Sequence, residues 1–306
     1  MNNNNFLPLL RALRPAQWTK NLSLFASLIL TGQLIDTYLL TKTFFAFFVF
    51  CFLSSSSYLI NDLVDAASDR LHPVKKNRPI ASGQLSPTTA IISAFVLFLS
   101  ALFLASFINS AFLLIALFFA LLQLSYSLFL KKKAILDIIG ISVFFIIRVY
   151  AGETATGFHL PVWIMLSVIF LSLFIASGKR RSELYKSGTA ARSSLRQYSK
   201  GLLNFYTTIF AVCTLITYAM FTFFEEPVSF QGIIHSFLLE NYPAALGRKI
   251  YMITLAPVIF GIMRYGQIIF EMQEGERPEK IIATDIPLLF SVMLWGLSIV
   301  TIIYVL

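Results

Sequence analysis

The chain has 306 residues, of which 57% are hydrophobic and only 13% are charged, with a mean hydropathy of +0.77. Soluble domains are roughly 45–50% apolar and about 25% charged, so this composition excludes an ordinary soluble protein and predicts a polytopic helical membrane protein. The formal net charge of +9 indicates an excess of Lys and Arg in cytoplasmic loops, and we expect no nucleic-acid partner because no soluble basic domain carries that charge.

Nine segments are apolar and long enough to cross the hydrocarbon core of a bilayer, which needs about 20 residues. In chain order they are residues 22–40, 43–62, 88–108, 110–130, 134–152, 161–178, 202–224, 250–270 and 287–306. The first is the least regular, since Gly32, Gln33 and Asp36 interrupt its end. We therefore predict an all-α protein with nine transmembrane helices. No long polar linker divides the chain and no signal-peptide cleavage site follows its start, so residues 1–306 are expected to form one catalytic domain.

The basic residues predict the orientation of these spans, because cytoplasmic loops are enriched in Lys and Arg. With the N-terminus in the cytoplasm, all but four of the 24 basic residues fall in cytoplasmic segments. The exceptions are Lys42, Arg248 and Lys249 in outer loops, and Arg148 within a span. We expect an inner-membrane protein whose N-terminus and active site both lie on the cytoplasmic side.

Four residues within or beside the spans have less definite roles. Cys51 and Cys213 make no metal-type spacing and are expected to be inert small hydrophobes. Arg148 is either an intramembrane functional group or a side chain near the outer end that snorkels to the surface or pairs with Glu153. Asp137 either serves the site or caps a helix.

The second span ends in an acidic cluster, within the stretch YLINDLVDAASDRLHPVKKNRPIASG at residues 58–83. At 100° per residue, one helix face carries an amide and three carboxylates within an arc of about 100°: Asn61, Asp62, Asp65 and Asp69. Like charges three and four residues apart destabilise a helix, so the pattern favours a bound hard cation. Mg²⁺ prefers carboxylate oxygens and commonly bridges protein to substrate phosphates. The alternative is a solvated helix end, or pairing of the acids with Arg70 and Lys75.

Basic side chains follow the acids in the same stretch: His72, Lys75, Lys76 and Arg78. A cation held by aspartates and flanked by basic groups suits a diphosphate, since both neutralise the charge that grows as diphosphate leaves. The expected metal ligands are Asn61, Asp62, Asp65 and Asp69, with the three aspartates as the catalytic residues. The expected substrate contacts from this stretch are Asn61, His72, Lys75 and Arg78.

The motif NDLVDAASD, followed by RPIASG, resembles the NDxxDxxxD signature of the UbiA superfamily of intramembrane prenyltransferases. Five motifs between about residues 11 and 287 are similar to one branch, the decaprenyl-phosphate phosphoribosyltransferase family. They are RPAQWTKN at 14–21, DRLHPVKKNRPIASG at 69–83, YSLFLKKKAILD at 126–137, FFIIRVYAG at 144–152 and GKRRSEL at 178–184. The resemblance implies nine helices around a central cavity that opens to the cytoplasmic side.

The resemblance also implies an activity, namely Mg²⁺-dependent transfer of 5-phosphoribose from phosphoribosyl diphosphate to a polyprenyl phosphate. The family motif positions that would line the donor site are Lys20, Arg78, Tyr126, Lys131, Lys179, Arg180 and Glu183. Aromatic prenyltransferases of the superfamily carry a second acidic DxxxD-type motif where this chain has GKRRSEL. That departure favours the phosphoribosyl branch, because more cations suit a donor with an extra phosphate.

The sequence leaves two alternatives to this function. The first keeps the fold but transfers a prenyl group from a prenyl diphosphate to an aromatic or lipid acceptor. The second is a lipid or solute transporter, which the clustering of the acids at one membrane face disfavours, because transporter sites lie near the bilayer midplane. The length of the polyprenyl acceptor, the number of Mg²⁺ ions and the oligomeric state do not follow from the sequence.

Overall fold

A computed structural model of the chain describes residues 6–71, 75–188, 193–225, 240, 250–276 and 278–305, and the elements within them are all helical. The α-helices are α1 (Phe6–Leu13), α2 (Ala26–Leu30), α3 (Thr37–Leu71), α4 (Pro87–Ser106), α5 (Ser110–Leu128), α6 (Leu136–Thr156), α7 (Val162–Ser187), α8 (Lys200–Phe224), α9 (Leu255–Gln267), α10 (Pro278–Thr284) and α11 (Ile286–Tyr304). Between them lie 3₁₀ helices at Pro15–Phe25, Lys75–Asn77, Leu130–Lys132, Ser193–Gln197 and Ile250–Thr254, and a π-helix at Ile268–Met272.

Eight helices in the described residues are long and apolar enough to cross a membrane. They are Thr37–Leu71, Pro87–Ser106, Ser110–Lys132, Leu136–Thr156, Val162–Lys186, Lys200–Phe224, Ile250–Met272 and Ile286–Tyr304. They correspond to the last eight of the nine spans predicted from the sequence. The protein is therefore an integral membrane protein of the all-α class.

The first predicted span, residues 22–40, is not one helix, so nine transmembrane helices are not confirmed. The 3₁₀ helix and α2 end before Gly32, which has a left-handed φ of 75°. Asp36 then begins α3, because its Oδ1 accepts a hydrogen bond of 2.9 Å from the N–H of Leu39. A left-handed glycine ends a helix and an aspartate cap begins one. The residues that interrupt the apolar pattern therefore also interrupt the helix.

The chain divides into two compact units that interleave along the sequence. Unit 1 comprises residues 1–26, 36–131 and 147–157, and unit 2 comprises residues 27–35, 132–146 and 158–306. Neither unit is a contiguous stretch, so a division into independently folding halves does not follow. One catalytic domain over residues 1–306 stays a prediction.

Unit 1 has an apolar core in which α3 packs against its neighbours. Phe50 of α3 contacts the rings of Phe112 and Phe119, with centroid distances of 5.9 and 4.8 Å. A Cβ added at Gly152 would lie 2.1 Å from the carbonyl oxygen of Leu24. The backbone of α6 therefore lies directly against the 3₁₀ helix, and only glycine permits that approach.

In unit 2, α9 is tied to α11 by an ion pair near their connection. Arg264 donates from Nε to Oδ1 of Asp285 at 3.1 Å and from Nη2 to Oδ2 at 2.7 Å. Asp285 Oδ1 also accepts from the N–H of Leu288 and so caps α11. These hydrogen bonds from Arg264 hold the pKa of the Asp285 carboxyl below its usual range.

This ion pair predicts a loss of stability in acid. A carboxyl whose pKa is lower in the folded protein stabilises it above the unfolded pKa of about 3.9, and this contribution disappears as pH falls through the folded pKa. We expect the thermal midpoint of detergent-solubilised protein to fall below about pH 4, and D285N to weaken that dependence while keeping the helix cap. Thermal melts between pH 6 and pH 3 measure this; an identical slope for both proteins would contradict it.

Candidate active site

The acidic cluster lies on the last turns of α3, which stays helical through Leu71. The uninterrupted helix therefore places Asn61, Asp62, Asp65 and Asp69 on the one face that the sequence predicts. Asp62 and Asp69 are buried, with 2% and 3% of their surface exposed. The side chain of Asp65 is 28% exposed.

Cations from three other segments of unit 1 contact these carboxylates. Arg14 donates from Nη2 to Asp62 Oδ1 at 2.5 Å. Arg78 donates from Nη1 to the same oxygen at 3.1 Å and to Asp69 Oδ2 at 2.7 Å. The repulsion between the acids on one helix face is therefore offset by guanidinium groups from sequence positions before and after it.

Lys131, in the 3₁₀ helix Leu130–Lys132 that follows α5, contacts the remaining acid of the cluster. Its Nζ donates to both carboxylate oxygens of Asp65, at 2.7 and 2.8 Å, and to Asn61 Oδ1 at 3.0 Å. Lys131 is itself buried, with 8% of its surface exposed. The sequence also allowed an ion pair between these acids and Arg70. Arg70 instead donates to the carbonyl oxygen of Ala81.

The oxygen atoms of this cluster fit a hard divalent cation. No three His, Cys, Asp or Glu side chains among the described residues are grouped closely enough to hold a metal ion by themselves. Mg²⁺, however, commonly takes one or two protein carboxylates and completes its shell with water and substrate phosphate. The buried carboxylates of Asp62 and Asp69, with Asp65 and the amide of Asn61 on the same face, suit such ligation. The magnesium assignment thus agrees with the donor chemistry and stays a prediction.

The other substrate contacts expected in unit 1 are distributed over its segments. Lys20 lies in the 3₁₀ helix Pro15–Phe25, Lys75 begins the one after α3, and Tyr126 lies near the end of α5. All three side chains are partly buried. His72 lies outside the described residues. Their contacts with a donor stay predictions.

A second charged cluster lies in unit 2, around Asp137 in the first turn of α6. Asp137 is fully buried, and its Oδ2 lies 2.8 Å from Nε of Arg180, which is 1% exposed. Ser194 Oγ and Tyr198 Oη donate to the two carboxylate oxygens at 2.9 and 2.7 Å. Burial and this bond to Asp137 raise the pKa of the Tyr198 phenol well above its usual range. Tyr198 therefore remains a neutral hydrogen-bond donor.

Arg180 connects this buried aspartate to the Glu183 carboxylate. Its Nη1 donates to Oε2 of Glu183, three residues further along α7. The Glu183 side chain is 17% exposed, and Lys179 is partly buried. Of the three motif positions in α7, Arg180 thus lies deepest and is engaged by carboxylates on both sides. Its direct contact with a donor stays a prediction.

Three residues acquire roles that the sequence did not predict. Arg14 lies in the motif RPAQWTKN, but its partner Asp62 is 48 positions away, so only the motif and the positive charge pointed to it. Asp137, for which the sequence predicts either a site role or a helix cap, is a buried counter-ion of Arg180. Arg181 donates to Asn204 and to the carbonyl oxygen of Ile269, which anchors the π-helix to α7.

Arg148 also has a definite place, inside unit 1. Its guanidinium donates to Oδ1 of Asn21 at 2.6 Å and to Oγ of Ser54 at 3.4 Å, and lies 5.0 Å from the ring centroid of Phe119. With 3% of its surface exposed, it is a buried group joining the 3₁₀ helix to α3. An outward, snorkelling position is therefore wrong.

Residues 22–180 match the model of the UbiA prenyltransferase family. Decaprenyl-phosphate phosphoribosyltransferase of Mycolicibacterium smegmatis is 33% identical over 294 residues, covering 94% of this chain and 89% of that protein. The protein of the same name from Corynebacterium glutamicum is 31% identical over 305 residues, covering 97% and 87%. The fold is similar to that of a UbiA homolog from Archaeoglobus fulgidus bound to GPP and Mg²⁺, with a TM-score of 0.71, 20% identity, and coverage of 96% and 99%.

The spans and the charged ends of α3 and α7 define a polytopic membrane protein with polar clusters at the ends of apolar helices. Sequence identity to relatives over most of the chain then shows to which family this membrane protein belongs. The chain belongs to the UbiA prenyltransferase family.

Proposed function

We propose that the protein transfers 5-phosphoribose from phosphoribosyl diphosphate to a polyprenyl phosphate and releases diphosphate. The relatives that bear the name of this activity align with nearly the whole chain. The observation that carries the proposal is the cluster on α3, where buried carboxylates and three cations lie together. Oxygen ligands for a divalent cation and basic side chains for anionic oxygens are the two requirements of a diphosphate leaving group.

The proposed reaction exchanges one C–O bond for another at C1 of the ribose. An oxygen of the polyprenyl phosphate forms the new bond, and the bond from C1 to the diphosphate breaks with its electron pair leaving on diphosphate. The acceptor phosphate is already ionised at neutral pH, so the protein need not supply a strong base. Its contribution is orientation of the two substrates and stabilisation of charge on the leaving group.

Within unit 1, we assign metal binding to the acidic residues and phosphate binding to the basic ones. Asp62, Asp65 and Asp69, with Asn61, would hold Mg²⁺, which when bound neutralises charge on the diphosphate. Arg78 has a planar fork that matches phosphate oxygens, and its side chain is 26% exposed. Lys20 and Tyr126 are retained as donor contacts because of their motif positions, and His72 and Lys75 because they follow the acids in the same basic stretch.

In unit 2, we propose that Lys179 and Glu183 bind the donor and that Arg180 orients Glu183. Lys179 supplies a positive charge for a phosphate, while the carboxylate of Glu183 can accept hydrogen bonds from ribose hydroxyls. The ion pair from Arg180 to Glu183 fixes that carboxylate. This basic motif, where prenyltransferases resembling this chain carry a second acidic one, favours a donor with an extra phosphate.

We further propose that the protein lies in the inner membrane, with its N-terminus and the α3 cluster on the cytoplasmic side. The basic residues support this orientation. The contact of Arg14 with Asp62 puts the start of the 3₁₀ helix beside the charged end of α3, whereas Asp36 caps the other end. The 25 residues from Thr37 to Asn61 rise about 38 Å. The chain between Arg14 and Asp36 therefore returns across that thickness, which supports a ninth crossing made of 3₁₀ and α turns.

The test is a transfer assay with detergent-purified protein. Labelled phosphoribosyl diphosphate, a polyprenyl phosphate and Mg²⁺ are supplied, and label is measured in the organic phase. We expect labelled lipid that disappears with EDTA. No labelled lipid with acceptors of several lengths, together with prenyl transfer from labelled geranyl diphosphate, would replace this proposal by the prenyltransferase alternative.

A further inference from the structure

Arg14 lies between two elements in a conformation that few non-glycine residues adopt. Its φ and ψ are 54° and 59°, in the left-handed region, directly before Pro15. It ends α1 and begins the 3₁₀ helix, because its N–H bonds to the carbonyl oxygen of Arg11 and its own carbonyl oxygen accepts from Gln17. Such strain persists in a fold only where surrounding contacts determine it, and it clusters at functional sites.

The Arg14 side chain is held by two contacts. Its guanidinium donates to Asp62 at 2.5 Å and lies 5.0 Å from the ring centroid of Tyr58, one turn earlier on α3. The side chain is nevertheless 27% exposed, whereas Asp62 is 2% exposed. The guanidinium thus lies between a buried carboxylate and more accessible space, where its remaining N–H groups can meet an anion.

Asp62 Oδ1 accepts hydrogen bonds from two guanidinium groups, those of Arg14 and Arg78. An oxygen with two such donors cannot also ligate a divalent cation without losing or lengthening one of them. Arg78 keeps a second carboxylate, Asp69, when it leaves Asp62. Arg14 has the ring of Tyr58 as its other contact, so Arg14 is the guanidinium that a cation ligated through Asp62 Oδ1 sets free.

We propose that Arg14 is a diphosphate-binding residue that exchanges Asp62 for the diphosphate when a divalent cation binds. The proposal rests on the proposed function in that it takes the α3 cluster to be the metal-diphosphate site. The planar fork of Arg14 matches two phosphate oxygens as well as it matches a carboxylate. Cation binding without diphosphate displaces Arg14 from Asp62 with no compensating anion. Cation and diphosphate therefore strengthen each other's binding, and Arg14 is one source of that coupling.

The test measures binding of Mn²⁺ and inorganic diphosphate to detergent-purified protein, with no transfer reaction. Bound Mn²⁺ is followed by electron paramagnetic resonance, corrected for the Mn²⁺–diphosphate complex in protein-free buffer. For R14Q we expect Mn²⁺ alone to bind roughly three- to tenfold tighter, because a competing cation is gone. We expect the affinity for diphosphate in the presence of Mn²⁺ to fall about tenfold or more, the loss of one charge-assisted hydrogen bond.

A matched control is R11Q, which removes the same charge three residues earlier from an exposed side chain. Both affinities of R11Q should stay within about twofold of the parent protein, since a distant exposed charge is screened. R14K keeps the charge but lacks the fork, so its Mn²⁺ affinity should stay near the parent value while diphosphate binds more weakly. If R14Q does not fold, R14K decides the question through the diphosphate affinity alone.

Three results would overturn the proposal. Unchanged or weaker Mn²⁺ binding in R14Q would show that Arg14 does not compete with the cation. Unchanged diphosphate binding in R14Q or R14K would show that it does not contact the anion. Absence of Mn²⁺ binding by the parent protein, with or without diphosphate, would overturn the metal site and this proposal together. The expected binding pattern combined with no phosphoribosyl transfer would reject the proposed substrate and leave the role of Arg14 standing.

Discussion

Replacing Asp65 with asparagine is expected to lower the rate of phosphoribosyl transfer roughly 100-fold or more while the protein remains folded. The substitution keeps the size of the side chain but removes one negative charge from the face that would hold the divalent cation. Groups that stabilise developing charge at a reaction centre commonly contribute factors of about 10² to 10³. The measurement is kcat/KM for labelled lipid formation, with the thermal midpoint of the same sample.

Asp65 is the acid of the cluster best suited to this test. Its side chain is 28% exposed, whereas Asp62 and Asp69 are buried and form ion pairs with arginine. Asparagine keeps an oxygen that can accept a hydrogen bond from the buried Lys131, so we expect the protein to stay folded with a loss of about 1–3 kcal/mol in the free energy of unfolding. D36N is the matched control, because Asp36 is an exposed cap of the same helix and asparagine caps equally well. Parent-like kcat/KM in D65N, or an equal loss in D36N, would remove Asp65 from the site.

The acidic cluster was predictable from the sequence because all of its members lie on one helix. Helical periodicity alone places Asn61 beside Asp65, and a continuous α3 reproduces that arrangement. The same holds for the last eight apolar spans, whose length and hydropathy are local properties. Local sequence patterns therefore predicted these eight helices and the acidic residues of the α3 cluster.

The partners of those acids were harder to predict because they come from distant positions. Lys131 and Arg78 were expected at the site through motif resemblance, and both contact the cluster. Arg14 was not predicted at the site, although it belongs to the motif RPAQWTKN, because no periodicity relates it to Asp62. The first span was misplaced for a related reason. Apolar composition does not distinguish an α-helix from the 3₁₀ turns of Pro15–Phe25.

The buried pair Asp137–Arg180 predicts a large effect on stability. Both side chains are almost completely buried, at 0% and 1% exposure. Removing one partner of a buried ion pair leaves an uncompensated charge and costs about 3–5 kcal/mol, whereas replacing both by apolar groups is often nearly neutral. We expect D137A to lower the free energy of unfolding by about 3 kcal/mol, the lower end of that range, because Arg180 keeps its ion pair with Glu183. Denaturant titration in mixed micelles measures the loss. D137L/R180M should recover most of the loss.

The transfer activity of the Asp137, Arg180 and Tyr198 variants shows whether the buried Asp137–Arg180 pair only stabilises the fold or also positions a substrate-binding residue. Arg180 holds the carboxylate of Glu183, so D137L/R180M should be stable yet transfer phosphoribose poorly, chiefly through a raised KM for the donor. Y198F removes the hydroxyl that donates to Asp137 and accepts from the N–H of Ile135; it should cost about 1–3 kcal/mol and leave KM near the parent value. If the double variant regained parent kinetics along with stability, the charges would serve folding alone. If it stayed folded with a raised KM, the buried aspartate in α6 would act on the donor through Arg180, a link between residues 43 positions apart that neither motif shows by itself.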